Sequence, residues 1–141
     1  LIILLEVTLH TWDICNALQD DYDIDQEAAV LLVNLWKNSK ANRWFIMSST
    51  PDNLDLNPKV IDIDLGLNAR LVITDFNGDL EIFEKPNSAT TAPTTIYTNP
   101  KDFALLITAR VNLFDLIDQK KVTTQGDKKN LLLFHSWFKG T

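Results

Sequence analysis

The chain has 141 residues, 45% hydrophobic and 23% charged, with 19 Asp and Glu against 13 Lys and Arg for a net charge of −6. That size makes one domain able to bury roughly two-thirds of its unfolded surface, while the acidic balance and scattered basic residues argue against a nucleic-acid-binding face. The lone cysteine, Cys15, excludes an internal disulfide and points to a reducing, cytoplasmic setting.

Residues 1–18 read as a helix. Apolar side chains recur every three or four positions at Ile2, Leu5, Leu9, Trp12, Cys15 and Leu18, while Glu6, His10 and Asp13 run down another face. The apolar start LIILL is too short for a membrane span or a complete signal peptide. The chain begins on Leu1 rather than Met and is expected to be part of something longer. Glu6 and His10 stand four residues apart, which on a helix stacks them on one face. A carboxylate and an imidazole so placed can share a zinc ion at about 2.0–2.2 Å, although two ligands do not complete a site. The other reading is an ordinary i,i+4 pair on a partly exposed helix.

An acidic connector, QDDYD, precedes a second helix capped by Asp23 or Asp25, with Ala28, Leu31, Leu32, Leu35 and Trp36 as its apolar stripe. Strand signals follow. The run WFIM at residues 44–47 is short and apolar, and Ile61, Ile63 and Leu65 alternate with Asp62 and Asp64. Residues 71–74 continue as strand, Asn77-Gly78 signals a two-residue hairpin, and Leu80, Ile82 and Phe83 return. Residues 87–93 are a polar loop and 94–97 a further strand. Asn99-Pro100 opens a helix with Asp102 in its first turn. Leu113, Phe114, Leu116 and Ile117 make a short helix, residues 121–125 an edge strand, and Gly126-Asp127 the turn that caps a last helix at 128–138. Helices, then an antiparallel meander, then helices define the α+β class.

Two stretches carry a family resemblance. LLEVTLHTWDICNALQ with the following IDQEAAVLL resembles the junction in the mycothiol-dependent maleylpyruvate isomerase family, where a DinB-like metal domain ends in Glu-x3-His-x2-Asp. VIDIDLGLNARLVITDFNGDLEIFE, TTIYTNPKDFALLITAR and KVTTQGDKKNLLLFHSWF are similar to the sterol-carrier-like fold, on which the C-terminal domain of that same family is built. The resemblance implies a terminal helix of a DinB-like domain at 1–18 and a sterol-carrier-like domain at 24–141, with an antiparallel sheet packed against helices. It implies Glu6 and His10 as two zinc ligands, with the third missing from this chain, and Asp13 in a supporting position. It places Arg110, after Ala109 where that family has glycine, beside a mycothiol-type cofactor and substrate as a catalytic residue. Apart from the resemblance, Arg110 reads as a cation at a helix C-terminus.

Two functions follow as expectations. In one, the chain is the C-terminal part of a metal-dependent, thiol-using isomerase or transferase, inactive by itself and handling a small carboxylate. In the other, it is a non-catalytic module that binds an apolar ligand, or an accessory domain of a larger hydrolase such as an alkylsulfatase. Neither calls for nucleic acid or membrane, and an N-terminal helical domain would be the missing partner in the first. Any pocket should lie between the sheet and the helices bearing Phe103, Leu106, Phe114 and Phe134, with Arg110 at its mouth. Cys15 and His135 read as core or rim residues, and Asp62 and Asp64 as strand carboxylates facing water.

Overall fold

The computed structural model describes residues 2–38, 59–76 and 79–138. The strand expected at 44–47 and the turn at 77–78 fall outside them. Helix α1 (Ile2–Ala17) leads into α2 (Gln26–Asn38), and strands β1 (Lys59–Asp64), β2 (Ala69–Phe76), β3 (Asp79–Pro86) and β4 (Thr94–Tyr97) follow. Helices α3 (Pro100–Ile107) and α4 (Leu113–Asp118), strand β5 (Thr123–Gln125) and helix α5 (Lys128–Trp137) complete the order.

Four helices begin on an Asn or Asp whose side chain accepts from orphan backbone donors, as helix starts require. Asp25 Oδ1 accepts from the N–H groups of Glu27 and Ala28 at 2.9 and 3.1 Å. Asn99 accepts from Asp102, Asn112 from Phe114 and Asp127 from Lys129, at 2.9, 2.8 and 2.9 Å. Asp23, the other expected cap of α2, instead pairs with Lys101 at 2.6 Å.

The strands form one sheet in the order β3-β2-β1-β4-β5. Pairing is antiparallel except between β1 and β4, which run parallel, so the sheet is mixed where an antiparallel one was expected. The reason is topological: β4 leaves the hairpin through residues 87–93 and returns beside β1 in the same direction. Register places Ile61 opposite Ile73, and Ile63 opposite both Leu71 and Ile96, on one face. That face shares one buried core with Phe103, Leu106 and Ile107 of α3 and Phe134 of α5. Gly126, at φ +111°, precedes the cap of α5, and a Cβ there would stand 2.2 Å from the Pro93 carbonyl oxygen. Only glycine fits that approach.

Three helices end alike without glycine. Gln19, Ala109 and Lys120 have φ of 58°, 57° and 60°. In each case the next residue's N–H reaches back to a carbonyl five positions earlier: Asp20 to Cys15, Arg110 to Leu105 and Lys121 to Leu116, all at 2.9 Å. These are Schellman motifs with a side chain at the left-handed position, where glycine is usual. Gln19→Gly, Ala109→Gly and Lys120→Gly should each raise the unfolding free energy by about 0.5–1 kcal/mol, the left-handed penalty less glycine's extra unfolded-state entropy. The check is the urea midpoint at unchanged slope. A lower midpoint in any of the three would show that its side chain contributes more than its backbone costs.

Candidate functional site

On α1 the buried side faces α2: Leu9 is 5% exposed, and Trp12 and Cys15 are partly buried. Leu18, expected on that stripe, lies beyond the helix and is exposed. Glu6 and His10 do share a face. His10 Nε2 is 3.1 Å from Glu6 Oε2, and His10 Nδ1 is 3.3 Å from Asp13 Oδ2. The imidazole therefore sits between two carboxylates of its own helix. Among the described residues no group of three His, Cys, Asp or Glu side chains could hold a metal ion. A zinc ion needs at least one more ligand than this pair gives it.

The polar line does not stop at Asp13. Arg110 donates from Nε to Asp13 Oδ1 and from Nη2 to Asp13 Oδ2, both at 2.8 Å, a two-pronged fork on one carboxylate. Arg110 Nη1 also reaches the Thr108 carbonyl at 3.3 Å. The side chain thus points to α1 and ties it by charge to the α3–α4 corner. Hydrogen bonding from Arg110, helped by its charge and by His10, holds the Asp13 carboxyl below the usual carboxylate range against the opposing effect of burial. A depressed folded value makes this tie stabilising above the ordinary carboxylate range. Its contribution fades as pH falls through the lowered value.

Arg110 also borders a cleft of about 1320 Å³ between α1 with its connector and the α3–α4 corner. Leu105, Val111, Leu116 and Phe138 supply apolar wall, Trp12 closes the α1 side, and the connector carboxylates with Lys101 form a polar rim. This is one layer away from the expected pocket. Phe103 and Phe134 are fully buried. The indole of Trp36 meets Phe103 at 5.6 Å and Phe138 at 6.0 Å, and Phe134 meets Phe138 at 5.0 Å. Trp36 comes from α2 and packs with these rings in the common core. A second, smaller cleft of about 490 Å³ lies beside the β1–β2 turn, between Val33, Leu65, Leu71 and Glu84.

His135 is half-buried at the cleft, edge-on to Phe114 at 5.5 Å and 3.5 Å from the Asn112 amide. Asp62 does not face water: it is fully buried. Its Oδ2 lies 2.7 Å from Lys85 Nζ and accepts the Ala92 N–H at 2.8 Å. Arg70, also buried, donates to the Ala89 carbonyl, and Lys85 donates to that of Thr90 at 2.9 Å. The loop after β3 is thus strapped over the outer face of the sheet by three charged side chains. Alternation alone could not reveal this, because a strand carboxylate covered by a later loop has the same spacing as one in solvent.

The sequence puts Trp12 on the core stripe and Asp13 in a supporting role, and gives no sign of the fork between Asp13 and Arg110. The available signal was Asp13 at the end of the polar line begun by Glu6 and His10. Nothing local reports a partner 97 residues away.

Comparison with known proteins bears on this geometry. Among solved structures, Sterol Carrier Protein-2 like-3 from Aedes aegypti is similar at TM-score 0.51 and 18% identity, over 77% of this chain and 94% of that one. The stereoselective inverting sec-alkylsulfatase Pisa1 from Pseudomonas sp. is similar at TM-score 0.50 and 19% identity, over 60% of this chain. The match spans only 13% of that enzyme's length. At such identities these likenesses concern the fold. No curated protein matches the chain. No helix among the described residues is long and apolar enough to cross a membrane. The SCP-2 sterol transfer family model matches residues 48–139, leaving α1 and α2 outside it. With most of its length inside that match, the chain belongs to the SCP-2 sterol transfer family.

Proposed function

We propose that this chain is a carrier-type module that holds an amphiphile with an apolar tail in the cleft between α1 and the α3–α4 corner. The observation that carries the reading is the cleft's make-up: an apolar wall of Leu105, Val111, Leu116 and Phe138 below a charged rim. Most of the lining is polar or charged, so the apolar wall is a patch within a polar cleft, suited to a molecule with a polar head and a short apolar contact. Family membership supports the ligand class, and the volume is ample for one long-chain molecule. Titration calorimetry with dodecan-1-ol tests it. The wild-type protein should bind, and Val111→Asp, a change at a half-buried wall position, should weaken binding by about tenfold or more, since a carboxylate would be desolvated against the tail. Failure of the wild type to bind would favour the accessory-domain reading, which the fold likeness to part of a sec-alkylsulfatase supports.

A metal role for Glu6 and His10 remains a separate proposal resting on their shared face. With two ligands, zinc would be held weakly. Elemental analysis of the purified 141-residue protein should find no stoichiometric metal. Tight zinc lost on His10→Ala would instead restore the isomerase-type reading, with Arg110 as its substrate-facing cation.

A further inference from the structure

Helix α1 is apolar on two opposite sides. Leu9 and Trp12 turn inward to the core. On the far side Ile3, Val7 and Ile14 stand 78%, 58% and 60% exposed. Leu18, 73% exposed, continues them, since its N–H still bonds the Ile14 carbonyl at 3.0 Å. At about 100° per residue, Ile3, Val7 and Ile14 fall within roughly 40° of one another and Leu18 within a further 20° or so. Four of the nine large apolar side chains exposed among the described residues therefore form one stripe. Scattered exposed apolar groups need no explanation, but a helix apolar on both sides is built to be covered on both.

We infer that this stripe is the interface of a homodimer in which α1 packs antiparallel against α1 of a second copy. A two-fold interface must be self-complementary, so that if residue i meets j, then j meets i. The stripe has that symmetry. Ile3 and Leu18 stand equally far from the point between His10 and Thr11, and so do Val7 and Ile14. About an axis through that point, Ile3 of each copy meets Leu18 of the other, and Val7 meets Ile14. Antiparallel pairing also sets the positive end of each helix beside the negative end of its mate. The acidic side chains bordering the stripe are engaged within their own copy, Asp13 with Arg110 and Glu6 with His10. Two helices of 16 residues packed along their length cover roughly 1,000 Å² in all, the threshold for a specific contact and enough for a weak, reversible dimer. The stripe faces away from Trp12 and the cleft, so both can be occupied at once.

Sedimentation equilibrium of the 141-residue protein tests this. The mass should rise from 16.0 kDa toward twice that value as concentration passes through about 10–100 µM, the range of small interfaces. Val7→Glu with Ile14→Glu should weaken association by about a hundredfold or more, because every introduced acid then meets another. Both positions are exposed, so the single copy should keep its fold, which an unchanged urea midpoint checks. Val7→Glu with Ile14→Lys reads the orientation. Antiparallel pairing brings each new acid to a new base and should keep association within about tenfold of wild type, whereas parallel pairing sets like on like. Leu132→Glu, at an exposed apolar position on α5, should change nothing. A mass of 16.0 kDa at every concentration up to about 1 mM overturns the inference, as does a dimer that survives Val7→Glu with Ile14→Glu. Dissociation by both double variants overturns the antiparallel arrangement. A single-copy protein that cosediments with phosphatidylcholine vesicles overturns the dimer by giving the stripe to a lipid surface.

Discussion

Asp62→Ala should lower the unfolding free energy by about 3–5 kcal/mol, the usual cost of removing one partner of a buried ion pair. Asp62 is fully buried at the centre of the outer sheet face, with Val72 and Thr95 as its register neighbours on β2 and β4. Removing its carboxylate leaves Lys85, whose ammonium is mostly covered, without a counter-charge, and leaves the Ala92 N–H without its acceptor. The loop between β3 and β4 would lose one of its three straps and expose the parallel junction of β1 with β4. Thermal unfolding and the urea midpoint measure the loss. A double variant that also replaces Lys85 by Met should recover a large part of it, because the stranded charge goes with its partner. A cost below about 1 kcal/mol, the range of exposed pairs, would mean that the loop does not close over Asp62 in solution.

Trp36→Ala should cost a similar amount, about 3–5 kcal/mol, the range for a large aromatic removed from a core. The indole is 3% exposed and wedged between Phe103 and Phe138. Its N–H finds no hydrogen-bond partner among the described residues. Trp36→Phe should therefore cost much less, since it keeps most of the ring contact and removes a buried donor that has no acceptor. Equal losses in the two variants would show that the indole nitrogen is satisfied. A small loss in Trp36→Ala would show that α2 is not seated on this core. Because Trp36 belongs to α2, outside the matched family segment, the result also reports whether the second helix is an integral part of the domain.

How much of this was legible in the sequence depended on the range of the signal. Period-two alternation at Ile61 and Ile63 located β1. The β2–β3 pairing runs from Ala69 with Pro86 to Phe76 with Asp79, as the alternation on both sides required. Asn99-Pro100 and Gly126-Asp127 marked helix starts that the side chains do cap. These signals are local, and local chemistry enforces them. The parallel return of β4, the burial of Asp62 and the packing of Trp36 against Phe103 and Phe138 were not readable, because each depends on which distant segment arrives beside it. The three left-handed helix ends carry no sequence signal for a different reason: the residue that normally announces them, glycine, is replaced by Gln19, Ala109 and Lys120. At the candidate site, the shared face of Glu6 and His10 followed from spacing, and Arg110 stood out at the end of a helix. The fork joining Arg110 to Asp13 needed the tertiary structure, as did the cleft on the α1 side of α3.

The location of the bound tail is the most direct test of this account. A nitrogen-15 NMR titration of the 141-residue protein with dodecan-1-ol should perturb the Trp12 indole and the amides of Leu105, Val111 and Leu116, with little change at Ile61, Ile73 or Phe134. Perturbations concentrated on Ile61, Ile73, Phe103 and Phe134 would contradict it, by showing that the ligand opens the aromatic interior between sheet and helices and leaves the α1 cleft empty.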